Sequence, residues 1–135
     1  MKRQLFPVVR RLAVAASLMF VLQIAPVAPA LAQDPVKVDA KHYKVEFEND
    51  QVRVLRIKYA PHEKSVMHEH PAAVAVFLTD SNATFTTPDG KTVPADAKAG
   101  GVQWEAGGKH LPENVGDKPM ELILVELKGK RAATK

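Results

Sequence analysis

Two of the chain's five histidines stand two apart in Met67-His68-Glu69-His70-Pro71. Neutral imidazole is the commonest protein metal ligand. In an extended strand, residues i and i+2 share a face, so His68 and His70 would project side by side with Glu69 pointing away. On a helix the same spacing sets the rings on nearly opposite sides. The flanks favour a strand: Val66 precedes the pair, and Ala73-Val74-Ala75-Val76-Phe77-Leu78 follows as an apolar run of strand length. Two rings on one face form half a chelate. Taken alone, the spacing fits two exposed histidines near a turn equally well, so the question is whether the chain supplies further ligands.

The elements that would position such a pair are strands. Tyr43-Lys44-Val45-Glu46-Phe47-Glu48 alternates apolar and charged residues, the pattern of a half-buried strand. Asn49-Asp50 supplies a turn into a longer strand over residues 52–59, which Pro61 ends. Ala83-Thr84-Phe85-Thr86-Thr87 and Lys91-Thr92-Val93 flank the tight-turn sequence Pro88-Asp89-Gly90. Val102-Gln103-Trp104-Glu105 follows a glycine turn, and residues 120–127 are apolar enough for a central strand. Eight or so short strands with turns every 8–12 residues, and no convincing amphipathic helix after residue 33, predict an all-β barrel or sandwich.

The N-terminus reads as a separate segment. Lys2, Arg3, Arg10 and Arg11 precede an apolar stretch over residues 12–24, and Ala30-Leu31-Ala32 offers a small-x-small cleavage site. This is the layout of a secretory signal peptide. The apolar stretch is short for a membrane span, and Pro26 and Pro29 sit where a spanning helix would continue. The expectation is a signal peptide over 1–32, cleaved after Ala32, and one domain over 33–135 with its core at about 43–128, periplasmic or secreted and free of the membrane after cleavage. Of the 19 basic residues, four lie in the leader, which leaves 15 against 15 acidic ones. The basic balance thus belongs to the leader. There is no basic stripe with interleaved aromatics, so no nucleic-acid partner is expected. With no cysteine in the chain, thiol nucleophiles, thiolate ligands and disulfides are excluded.

A third histidine, His110, stands in Trp104-Glu105-Ala106-Gly107-Gly108-Lys109-His110-Leu111-Pro112-Glu113-Asn114. With His68 and His70, this segment resembles the two motifs of a small single-domain cupin. The first motif of that family is a His-x-His pair, usually followed by Glu about four residues on. The second has a turn glycine and then Pro-x-Gly-x-x-His-x-x-x-Asn. Gly100 or Gly101 fits the turn, Gly107, His110 and Asn114 fit the later steps, and Glu105 stands where proline is usual. The resemblance spans roughly Val52 to Leu127. It implies a double-stranded β-helix, a jelly-roll barrel, with a divalent ion (Fe, Mn, Ni or Zn) held by His68, His70 and His110. The family's glutamate position falls on Val74 or Ala75, so no carboxylate carries over. A three-histidine ion would be more electrophilic and readier to take an anionic ligand; the other reading is an apolar pocket that keeps three histidines without an ion.

The remaining candidates are placed at the edge of the site. Asn114 is expected to brace the loop beside His110, and Trp104, Phe77 and Phe85 to line the core or pocket. Glu105 and Glu113 are read as solvated loop carboxylates with a second-shell or acid/base alternative. His62 is read as an exposed turn residue that could approach from a loop, and His42 as surface. Arg53 and Arg56 are three apart and so on opposite faces, with surface charge expected for at least one. Functionally, two classes stay open. One is a metal-dependent oxygenase, isomerase or lyase acting on a small molecule; the other is a non-catalytic protein that binds or senses a small ligand or metal. The resemblance also implies pairing into a homodimer through an edge strand.

Overall fold

The computed structural model describes residues 33–129. The expected leader over 1–32 and the end of the basic tail lie outside them. One helical turn and nine strands follow in the order α1 (Pro35–Val38), β1 (Tyr43–Glu48), β2 (Val52–Tyr59), β3 (His68–His70), β4 (Ala73–Phe77), β5 (Ala83–Thr86), β6 (Thr92–Pro94), β7 (Val102–Glu105), β8 (Gly108–Asn114) and β9 (Met120–Leu127). They form two antiparallel sheets, ordered β1-β2-β9-β4-β7 and β3-β8-β5-β6. No helix among the described residues is long and apolar enough to cross a membrane.

Alternation along the strands of the larger sheet decides what goes inside. In β9, Met120, Leu122, Leu124 and Glu126 are buried while the residues between them are half-exposed. In β4, Ala73, Ala75 and Phe77 are buried in the same way. With Leu55, Ile57 and Tyr59 of β2 and Ala83 of β5 they form the core. Full burial of each large apolar side chain contributes about 1.5–3 kcal/mol, so this cluster supplies most of the hydrophobic drive.

The opposite phase carries an apolar row across the outer face. The register carries Phe47 to Val54, Val125, Val74 and Trp104 in one row across all five strands. Two residues of this row depart from their simplest sequence reading. A register shift between Val45 and Phe47 turns the end of β1 over, so Phe47 is exposed although Tyr43 is buried. Trp104, expected in the core or pocket, is 61% exposed. Its neighbour Glu105 pairs with the fully buried Ala73 and takes the inward phase, which leaves the indole outside on the edge strand β7.

The lead-in over 33–40, which precedes β1, is built into the fold. Asp34 caps α1 by accepting a hydrogen bond from the Val36 amide, and Pro35 at the first turn is buried. The Glu69 amide donates to the Gln33 carbonyl at 3.0 Å, so the lead-in borders β3 on the side away from β8.

Candidate metal centre

β3 is only three residues long, yet it sets the site. It pairs with β8 so that His68 lies opposite His110 and His70 opposite Gly108. Directly paired residues of an antiparallel ladder share a face, so all three imidazoles point into the barrel. Their ring centroids lie 4.8 Å (His68–His70), 5.1 Å (His68–His110) and 5.4 Å (His70–His110) apart. One nitrogen from each ring falls in a group whose members are all within 4.8 Å of one another. His68 and His70 are buried and His110 is half-buried.

The outer nitrogens of the β3 pair are committed. His68 Nδ1 donates to the Val66 carbonyl at 2.8 Å, with Ser65 Oγ at 3.4 Å. His70 Nδ1 donates to Glu126 Oε1 at 2.6 Å. These partners assign both protons to Nδ1 and leave the Nε2 lone pairs facing each other at 3.1 Å. Two lone pairs at that distance repel unless a proton or a metal ion lies between them. At bond lengths of about 2.1 Å, cis ligands of an octahedral or tetrahedral ion stand roughly 3.0–3.4 Å apart, so the pair fits a divalent metal. The three ligand nitrogens lie within 4.8 Å of one another, so the widest separation must close by about 1.4 Å or more for all three to stand as cis ligands of one ion.

Electrostatics agree with neutral ligands. Burial first, then the neighbouring His70 ring, lowers the His68 pKa to about 4. Burial, then His70 and His68, lowers that of His110 to about 3. Both imidazoles are therefore neutral and able to ligate at neutral pH. No ligand carboxylate replaces the one expected at Val74 or Ala75: Ala75 is a buried cavity wall and Val74 faces outward.

A carboxylate does serve the site from one bond further out. Glu126 on β9 is 1% exposed and lies between His70 and Arg53, and Arg53 continues to Asp34 at 2.9 Å. Burial pushes the Glu126 carboxyl up, but the His70 and Arg53 hydrogen bonds outweigh it and hold the pKa below its usual value. A carboxylate behind a ligating imidazole fixes its tautomer and raises its basicity. Glu126 was not among the sequence candidates. The signal that could have found it is its phase: it is the one charged residue at an inward position of β9, and Arg53 pairs with it across β2. Arg53 is thus mostly buried, whereas Arg56 lies on the outer face with Glu46 and Glu121.

The other candidates divide cleanly. Asn114 is buried and braces loops, donating to the Ala60 and Lys118 carbonyls and accepting from the Gly116 amide. His62 stays outside, on a left-handed turn residue (φ 61°) beside Asp117. Glu113 pairs with Lys64 on the surface. His42, expected at the surface, is buried: its ring nitrogens meet Asp39 and Glu63 and its ring stacks on Tyr59 at 4.2 Å. It braces the lead-in and does not join the histidine cluster. Glu105, expected in a solvated loop, faces the interior of β7.

His70 and His110 open onto a cavity of about 80 Å³. Ile57, Phe77, Leu122 and Leu124 give it an apolar wall, and Phe85 stacks on His110 at 4.4 Å. Tyr43 presents its edge to His68 at 4.9 Å, and its hydroxyl meets that of Tyr59 at 2.8 Å. Gly107 lets the β7–β8 turn approach β3. A Cβ there would stand 2.7 Å from the Pro71 carbonyl carbon and 2.9 Å from the His70 carbonyl oxygen, on a backbone at φ 85°.

Comparison with known proteins adds the fold. No family profile matches the chain, and no curated protein matches it. Solved structures do. A cupin domain from Bordetella pertussis Tohama I aligns over 64% of this chain and 92% of its own, with TM-score 0.60 and 24% identity. An RmlC-like cupin from Methanocaldococcus jannaschii aligns over 66% of this chain and 83% of its own, with TM-score 0.51 and 22% identity. A double-stranded β-helix protein from Klebsiella pneumoniae aligns over 65% and 76%, with TM-score 0.52 and 20% identity. In fold, the chain is a small cupin-type double-stranded β-helix.

Proposed function

We propose that the chain is an exported metal-binding cupin that holds one divalent ion through Nε2 of His68, His70 and His110 and uses it on a small molecule bound in the barrel. The observation that carries this reading is the pair of Nε2 lone pairs at 3.1 Å whose outer nitrogens are already spent on Val66 and Glu126. A divalent ion between the two nitrogens would satisfy both lone pairs at once.

A bound ion would supply Lewis acidity and open coordination positions. The chain's own groups do the rest. Glu126 holds His70 in orientation, Val66 does the same for His68, and the apolar wall limits the ligand to a small, mainly apolar body. Three neutral imidazoles leave the ion's charge uncompensated, which favours an anionic ligand group. Oxygen-dependent oxidation is the reaction class this site serves best, because among the described residues no pair of acid and base groups flanks the ligands as hydrolysis would need.

The test is anaerobic purification followed by elemental analysis. The expected result is one divalent ion per chain, absent when His68 and His70 are both changed to Ala. Full metal content in that double variant would overturn the assignment. Oxygen uptake by the iron-loaded protein with small carboxylic acids then separates turnover from simple holding.

A further inference from the structure

Glu105 is a carboxylate in an unusual position. It pairs with Ala73 on β4, and Ala73 pairs on its other side with Glu126, so the three side chains form one inward row. The two acids are used differently. Glu126 is spent on His70 and Arg53. Glu105 makes no ion pair and no side-chain hydrogen bond with the described residues, yet it lines the cavity together with His70 and His110. Its oxygens lie outside the group formed by the three imidazole nitrogens. Desolvation raises its carboxyl pKa, which His70 only partly offsets. A partly buried carboxylate without a donor is unfavourable unless something that enters the cavity supplies one.

Resting on the metal-binding reading above, we infer that Glu105 selects the ligand: its carboxylate accepts a hydrogen bond from a hydroxyl or amine of the molecule held at the metal. The two charged features fix the polarity of that molecule. Its anionic end belongs at the ion, because Glu105 would repel it, and its donor group belongs at Glu105. The small residue Ala75 and the neighbouring leucines keep the cavity wall apolar, so the body between the two ends is short and aliphatic. The ligand class is a short hydroxy- or amino-carboxylate.

The experiment uses the full mature chain loaded with Co(II), whose visible spectrum reports ligation directly. Butanoate and 3-hydroxybutanoate are titrated into the native protein, Glu105→Leu and Glu105→Gln. The expected result is a preference of about tenfold for the hydroxylated acid in the native protein, as one hydrogen bond to a charged acceptor provides. The preference falls to about onefold in Glu105→Leu and to an intermediate value in Glu105→Gln, with cobalt content unchanged in both. Equal affinity of the native protein for the two acids would overturn the inference. So would a preference that persists in Glu105→Leu, since it would come from chelation alone. Loss of cobalt from a folded Glu105→Gln would also overturn it, by making Glu105 a metal ligand. Failure of the underlying reading appears separately, as cobalt retained after His68 and His70 are both changed to Ala.

Discussion

His70 is held by a run of charges, and His110 by the face of a ring. Behind His70 come Glu126, Arg53 and Asp34, each within hydrogen-bond distance of the next. Behind His110 comes Phe85, and no described residue hydrogen-bonds the His110 ring. The first support is directional and fixes both orientation and tautomer; the second lets the ring turn in its plane. On the metal-binding reading, two ligands on β3 would be set in place before an ion arrives, and the third would adjust to it. The spread of up to 4.8 Å within the nitrogen group, against 3.1 Å for the β3 pair, follows from this division.

The largest effect should come from breaking the charged side outright. Glu126→Leu leaves Arg53 buried beside Asp34 alone, and removing one partner of a buried ion pair costs about 3–5 kcal/mol. Chemical denaturation of the metal-free protein measures it. Acid comes next. A base whose folded pKa is depressed binds its proton less readily when folded, so the unfolded chain takes up more protons as pH falls. For His68 the window runs from an unfolded value near 6.5 down to about 4. Stability of the metal-free protein should therefore decline on acidification across that range, by on the order of 2 kcal/mol, with His110 extending the decline towards pH 3. Thermal melts at stepped pH follow it, and a flat profile would contradict the buried neutral imidazoles.

Glu126→Gln is milder, because it keeps the shape and removes only the charge behind His70. Metal affinity should drop about 10–100-fold, read by competition with a chelator. Phe85→Leu should lower affinity least, by about two- to fivefold, the value of one ring contact. If Phe85→Leu proved as harmful as Glu126→Gln, the two supports would be equivalent and the contrast between them would fail.

Much of this was legible in the chain, for physical reasons. Period-two alternation marks β1, apolar runs of strand length mark β4 and β9, and His-x-His is meaningful because strands repeat every two residues. His110 could be joined to the pair through its glycine setting. What escaped was phase and partnership. Trp104 looked internal because large aromatic rings usually bury, but Glu105 had taken the inward phase of an edge strand. His42 looked superficial because neutral sequence context says nothing of Asp39 and Glu63 converging on it. Glu126 was hidden inside an apolar strand, where its worth depends on Arg53, 73 residues away.

Gly107 has one more consequence. It has no side chain, yet its missing Cβ is what allows the turn before His110 to lie against the carbonyls of His70 and Pro71. It acts as a gauge block between the two motifs: the distance that a metal would measure across the barrel is set by a side chain that is not there.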